Sequence, residues 1–361
     1  MDTIFEKLVI RSITLFAEKP ASDITHYTDK LQEYIRILSD IERELIRRNY
    51  RVFTKRLSLP ILDNSMRAKI VEKLEPHNTL VSLGIHKPSI DYEYVEYVVS
   101  NGYYMAIHGV WNNPIEYSKR VSEIIHRVSN VNPVYATRIA VAFHEDILET
   151  PYFPDSTSSG YPGLGISFLL PNAIIEYIQR GNKLENFPKE LLTYTKQLEE
   201  LLTSITGIKR IVVDYSISPW MNNSVVKLLE VLGYKLLSPG FNYGIYTLNS
   251  FIGELAKTSG NASGFNEVML PYAEDLLLIE AGKEGLIRVR DFLLYASTCV
   301  AGVDMVVVPE SIDKLANLVL DLMSIWYVKN KAQALRAIPV SDSVGTDIDL
   351  DKFGKVPVID Y

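Results

Sequence analysis

Residues 211–219 read IVVDYSISP, an unbroken apolar, β-branched run that turns polar at every second position. Isoleucine and valines without alternation describe a strand covered on both faces, as in a parallel sheet. Asp214, Ser216 and Ser218 then share one side, because residues two apart in a strand point the same way. Polar groups on a core-facing side need hydrogen-bonding partners. Two explanations stand side by side for Asp214: it lines a polar cavity holding a ligand or water, or it caps the chain that follows. For Ser218 the expectation is capping, since Pro219 comes next.

Nine further runs have the same strand character: 10–16, 51–56, 80–85, 103–107, 138–143, 165–170, 234–237, 303–308 and 335–340. With 209–216 they make ten. Helical patterns fill the gaps; in 24–48, Leu31, Ile35, Leu38 and Leu45 fall on one side and charges on the other. Each strand-plus-helix unit takes about 25 to 35 residues, as parallel crossovers require. Helix starts are marked at Asn113 before Pro114, at Asn172 after Pro171 and at Ser311, and helix stops at Gly102, Gly181, Gly207 and Gly233. No low-complexity linker divides the chain. The expectation is one α/β barrel domain over 1–361, with a loop insertion at 150–163 (TPYFPDSTSSGYPG) and a C-terminal β-hairpin at 335–361. The inserted loop is expected as a lid or binding loop over the barrel mouth, or as a plain surface loop.

Composition narrows the functional classes. The formal charge of −7, from 44 acidic and 37 basic residues, is spread along the chain with no basic block, which argues against nucleic acid. Cys299 is the one cysteine, so neither an internal disulfide nor a cysteine-based zinc site is available, and the cytoplasm is the expected compartment. The N-terminal MDTIFEKLVIRSITLF is broken by Asp2, Glu6, Lys7 and Arg11, and reads as neither a signal peptide nor a membrane span.

The strand ends supply the candidate chemistry. His86, His108 and His144 each close a strand-like run, and on neighbouring parallel strands they would share a rim with Glu145 and Asp146. They lack the short spacing of a local metal motif, so independent strand ends are the expectation and no metal is assigned. Asp304 lies near the start of 303–308 and Glu310 just past its end, so a single rim takes only one of them. Lys55 and Arg56 close the second run, while Lys331 and Arg336 flank the last; together they suit an anionic substrate group. Tyr272, Glu274 and Asp275 open a helical stretch where acids meet the helix dipole, which structure alone explains.

Other motifs fail. Gly160–Gly165 (GYPGLG) has neither the setting of a dinucleotide fingerprint nor the lysine of a P-loop. Asp347, Asp349 and Asp351 imitate a calcium loop, but Lys352 replaces its glycine, so DIDL followed by KVPVID reads as an exposed hairpin. Cys299, in YASTCVAG, reads as a buried structural thiol in a helix.

Segments from end to end carry a family resemblance: IRSITLF, the Lys55-Arg56-Leu57-Ser58 step, IVVDYSISP with NSVVKLLEVLGYK, PYAEDLLLIEAG, LRAIPV and, most specifically, CVAGVDMVVVPES at 299–311. The chain resembles the domain-of-unknown-function 711 family. The resemblance implies a ten-stranded β/α barrel similar to pyruvate formate-lyase, in which two five-stranded parallel halves run antiparallel to each other. Strand ends would then split between two rims, which separates the three histidines. Glycyl radical chemistry does not come with it, since the last glycine, Gly354 in DKFGKVPV, lacks the required context and Cys299 is not on a central loop. The chain also carries Ser158-Ser159-Gly160 where the family shows phenylalanine-histidine-glycine, and Phe241-Asn242-Tyr243-Gly244 where it shows a histidine-glycine-threonine turn after the eighth strand.

Two functions are compatible with these residues. One is a small-molecule enzyme without an organic cofactor, acting on an anionic metabolite through Asp214, Ser216 and Glu310, with Lys55, Arg56, Ser218, Asp304, Lys331 and Arg336 binding the ligand. The other is a catalytically silent binding or regulatory protein that forms a homo-oligomer. Neither involves nucleic acid or membrane.

Overall fold

A computed structural model describes residues 4–20, 24–87, 89–109, 112–144, 147–300 and 302–361. The strands run β1 (Val9–Phe16), β2 (Arg51–Ser58), β3 (Thr79–His86), β4 (Tyr104–His108), β5 (Ile139–Phe143), β6 (Gly163–Phe168), β7 (Ile211–Asp214), β8 (Val303–Pro309), β9 (Gln333–Val340), β10 (Asp347–Asp349) and β11 (Lys355–Pro357). Nine of the ten runs read from sequence are strands. The protein is a mixed α/β structure with mostly parallel strands, and it divides into two compact units.

The first unit comprises Met1–Gly84, Ile147–Ile217 and Asn249–Glu267. Its strands lie in the order β7-β6-β1-β2-β3. β1, β2 and β3 are parallel, β6 and β7 are parallel, and β6 meets β1 antiparallel. One strand face is apolar and buried, through Ile13, Leu15, Leu57, Val81 and Ile166. The helix Ile24–Arg47 that follows β1 buries the expected stripe of Leu31, Ile35, Leu38 and Leu45, extended by Ile41. Lys55 reaches this helix and pairs with Glu42 at 2.7 Å. The opposite face of the same strands carries Ser12, Thr14, Arg56, Ser58, Ser82 and Ser167, all buried.

The second unit comprises Ile85–Asp146, Ser218–Leu248 and Val268–Tyr361, with strands in the order β4-β5-β9-β8. β4 and β5 are parallel, as are β8 and β9, and β5 meets β9 antiparallel. Asp275 ties two helices together. Its carboxylate accepts from Ser224 Oγ, from the Val225 and Val226 amides that open helix Val225–Val231, and from the Leu277 amide that opens helix Leu276–Lys283.

Several expectations change. Residues 234–237 form turns, with Tyr234 N bonded to Leu229 O, Ser238 N to Lys235 O and Leu237 at φ +60°, so the segment closes the preceding helix and is no strand. The turn expected after it is the first turn of helix Phe241–Ser259. The C-terminal hairpin is shorter than 335–361: residues 335–340 belong to β9, and β10 pairs with β11, whose Val356 and Pro357 are buried rather than exposed. Asn113 makes no side-chain bond to the helix backbone but donates to Glu116, and the helix at Pro171 starts on its proline. Ser311 caps as expected, accepting from Lys314 N. Cys299 is buried as expected, but in a turn beyond helix Val289–Ala296.

Burial pushes the Asp275 carboxyl up to about 6, against the pull of its four donors. Between the unfolded value near 4 and that folded value, the native state holds a proton the unfolded chain has lost. Stability from this group is therefore complete below about pH 4 and falls by about 3 kcal/mol as pH rises past 6. Urea unfolding of wild type and Asp275→Asn between pH 4 and 7 should show that slope in their difference; parallel curves would refute it.

Candidate functional site

In the first unit the polar strand face is covered by the inserted loop. Residues 150–158 are buried throughout. Buried backbone must be hydrogen-bonded, and the strand side chains do it. Arg56 Nη1 donates to Pro151 O at 2.8 Å and Ser12 Oγ to the same carbonyl at 3.2 Å. Ser82 Oγ bonds Ser156 O at 2.9 Å and Pro154 O at 3.3 Å, and Ser156 Oγ meets Ser58 Oγ at 2.8 Å. The loop base is fixed by Ser158, whose amide donates to Leu59 O and whose hydroxyl donates to Ala17 O, and by Glu149, which takes Arg210 and both donors of Ser159.

Two arginines stack on this loop. Arg56 lies 5.2 Å from the Phe153 ring centroid and Arg11 5.5 Å from that of Tyr152. Arg11 was not singled out by sequence reasoning. The pairing of β1 with β6 slips by one residue between Ile10 and Ser12, so Arg11 is the extra residue of a bulge, set beside Ser12 and the loop. The signal available was an arginine inside the apolar run VIRSITLF, 5% exposed in the fold. Lys55 does not join Arg56: adjacent strand residues point oppositely, and Lys55 is bound to the helix side. Thr14 pairs in register with Arg56 and Gly165, is fully buried, and its hydroxyl makes no hydrogen bond among the described residues. Such an orphan costs about 1–3 kcal/mol.

Asp214 pairs in register with Ser167 and is 0% exposed. Its Oδ2 accepts from Thr150 Oγ1 at 2.9 Å and Phe265 N at 2.8 Å. Its Oδ1 accepts from Ser216 Oγ at 2.5 Å, Ser216 N at 3.0 Å and Asn266 N at 3.1 Å. Five donors exceed the roughly four lone-pair positions a carboxylate offers. Burial raises its pKa, the Ser216 hydroxyl and the amides of Phe265, Asn266 and Ser216 oppose the rise, and no acceptor position is left for a substrate proton. Ser216 Oγ is committed too, accepting from Glu267 N at 3.2 Å. The bonds from Ser216 are those of a cap on the chain that follows, and the same carboxylate also pins loop residue Thr150 and the 265–266 turn to β7.

The second unit joins two residues named from sequence. Arg336 forks onto Asp304, Nε to Oδ1 at 2.5 Å and Nη2 to Oδ2 at 2.7 Å, and Nη2 also reaches Glu274 Oε1 at 3.0 Å. All three are buried. Glu274, assigned above to a helix dipole, is instead the third member of this cluster. Glu310 stands apart on the surface with His126 at 3.0 Å, and Lys331 is exposed. Ser218 is buried in this unit. The rings of His108 and His144 come within 5.6 Å, with His108 Nε2 on His144 O at 2.7 Å, and His86 instead neighbours Tyr94. Glu145 and Asp146 lie outside the described residues. Among the described residues no three His, Cys, Asp or Glu side chains are grouped to hold a metal.

These features define a mixed α/β protein with buried polar networks, and the comparisons with known proteins agree on its kinship. A family model described as Uncharacterised ACR (DUF711) matches residues 111–351, and the chain belongs to that family. It is similar to a UPF0210 protein of Sulfurisphaera tokodaii, 25% identical over 257 residues, covering 65% of this chain and 57% of that protein. A UPF0210 protein of Pyrobaculum aerophilum is 26% identical over 266 residues, covering 64% and 56%. Another, of Halothermothrix orenii, is 30% identical over 159 residues, covering 41% and 35%. The chain thus spans little more than half the length of the first two.

Gly264 sits at φ +91°, and a Cβ there would collide with the Asp214 carboxylate and Thr150. Gly264→Ala should cost about 2–4 kcal/mol, whereas Gly240→Ala, at φ +98° in open space, should cost about 1–2. Equal losses in urea unfolding would contradict the assigned role of Asp214. Arg336→Met leaves two buried carboxylates without their cation and should cost about 3–5 kcal/mol, read in the same assay.

Proposed function

We propose that this chain is a catalytically silent binding or regulatory protein for a small anionic molecule. The carrying observation is the saturation of Asp214: a general base needs a free acceptor, and five donors already occupy this carboxylate. Ser216 is spent on the same network, and Glu310 belongs to the exposed pair with His126. The strand face under the loop is rich in donors and cations, with Ser12, Arg56 and Ser82 donating to loop carbonyls and Arg11 stacked on Tyr152, a chemistry suited to an anion. An enzyme acting on the same anion, without glycyl radical chemistry, is the second reading, favoured by the upward push of burial on Asp214.

The proposal extends to the fold. The ten-stranded barrel similar to pyruvate formate-lyase, as one domain over 1–361, is supported by an antiparallel junction between parallel runs in each unit, β1/β6 and β5/β9. It is also supported by the segment 261–269. In the first unit Ala262 bridges Val213 of β7, and in the second Met269 bridges Val300 just before β8. That segment, rather than 234–237, is our choice for the tenth strand. We further propose a cytoplasmic homo-oligomer with no organic cofactor and no nucleic-acid or membrane partner. Exposed Tyr243, Tyr246 and Leu294 support self-association, and no helix among the described residues is long and apolar enough to cross a membrane.

A thermal-shift screen of metabolites tests the function. An anion should raise the melting temperature of wild type and of Ser216→Ala alike, and should fail to do so with Arg56→Ala. Nuclear magnetic resonance of the bound compound over hours should show it unchanged. Its consumption by wild type but not by Ser216→Ala would replace the silent reading with the enzyme.

A further inference from the structure

The helix Phe241–Ser259 turns Tyr243, Tyr246, Ser250, Gly253, Glu254 and Lys257 outward, and their spacing puts all six on one face. Its other side is core, through Phe241, Ile245, Leu248, Ile252 and Leu255. Two glycines sit inside this helix, and packing accounts for one. A Cβ on Gly244 would strike the Tyr234 ring, whereas a Cβ on Gly253 would meet nothing within 4 Å among the described residues. Glycine in a helix interior is a destabilising choice. At Gly253 no contact among the described residues offsets it; what a missing side chain does allow is the close approach of a second body.

The face is complementary to itself. Tyr243 and Lys257 stand seven residues before and after Ser250, Tyr246 and Glu254 four, and Thr247 and Gly253 three. In an antiparallel pair of such helices crossing at Ser250, each residue meets its opposite. The Lys257 ammonium meets the Tyr243 ring, the Glu254 carboxylate meets the Tyr246 hydroxyl, and the bare Gly253 lets the two backbones come close. A parallel pair would set Lys257 on Lys257 and Glu254 on Glu254. The tyrosines are already arranged as a pair, with ring centroids 6.1 Å apart. Beside the far end of the helix runs a groove of about 450 Å³ lined by Pro188, Lys189, Leu192, Glu254, Leu255 and Thr258. Its leucines suit an aromatic ring and its charged rim suits a phenol hydroxyl.

We propose that the occupant of this face is a second copy of the chain, docked through an antiparallel two-fold contact centred on Ser250, with Tyr243 of each copy entering the groove of the other. This rests on the reading of the chain as a homo-oligomer, and gives that oligomer its interface and its order. A two-fold contact uses the same face on both copies and closes on itself, so the product is a dimer. Every substitution on the face appears twice in the interface, which squares its effect on affinity.

Sedimentation velocity of the full chain over a dilution series should show a monomer in equilibrium with a dimer. Gly253→Gln should stay monomeric with its helix content unchanged by circular dichroism, because glutamine favours helix and meets open space within the chain. Lys257→Met should weaken the dimer about tenfold through two lost cation–π contacts. Ser250→Cys should link to itself under mild oxidation, since the residue on the two-fold axis meets its own copy. Tyr243→Cys should not link to itself but should link to Lys257→Cys when the two are mixed. Cys299, the one native cysteine, is buried and does not compete. A dimer that survives Gly253→Gln, or in which Ser250→Cys stays unlinked, would overturn this face and leave the homo-oligomer reading standing. A wild-type chain that remains monomeric at every concentration would overturn both.

Discussion

A polypeptide segment buried without a strand beside it must find a partner for every inward carbonyl, and the first unit is organised around that requirement. Residues 150–158 have no ladder of their own. Their carbonyls are met by Ser12, Arg56 and Ser82, drawn from three strands. A face of leucines there would leave the loop unsatisfied at a cost of about 1–3 kcal/mol for each lost bond. Loop and serine-rich face therefore account for each other, and the loop ends in turn account for Asp214, which holds Thr150, and for Glu149, which holds Ser159.

Much of this was legible in the residues. Local periodicity located nine strands because each is a short apolar run between helix patterns, and periodicity needs no tertiary information. It failed at 234–237, where YKLL has strand composition but completes a helix-closing turn. The polar side of β7 reads as needing partners, in a cavity or in the chain that follows, and nothing in the sequence says that a distant loop supplies one as well. Lys55 and Arg56 looked like one basic pair, but alternation sends them to opposite faces. Asp304 and Arg336 were both identified, while Glu274 was not, since an acid at a helix start already has a sufficient local explanation.

The second unit solves a related problem with charge. Arg336 spans two carboxylates, and Asp275 spans two helix starts, so in each case one ionisable group holds two elements that the sequence places far apart. Buried ion pairs of this kind add little net stability compared with apolar packing, but they fail badly when one member is missing. They fix which elements meet more than how tightly.

The bulge at Arg11 has a meaning beyond its contact with Tyr152. Along β1, one supernumerary residue inserts a cation on the inner side without disturbing the side to which Ile13 and Leu15 belong. It works as a phase shift toward one neighbour only: the ladder with β2 runs through Arg11 without a slip, so the strand changes step against β6 while keeping step with β2.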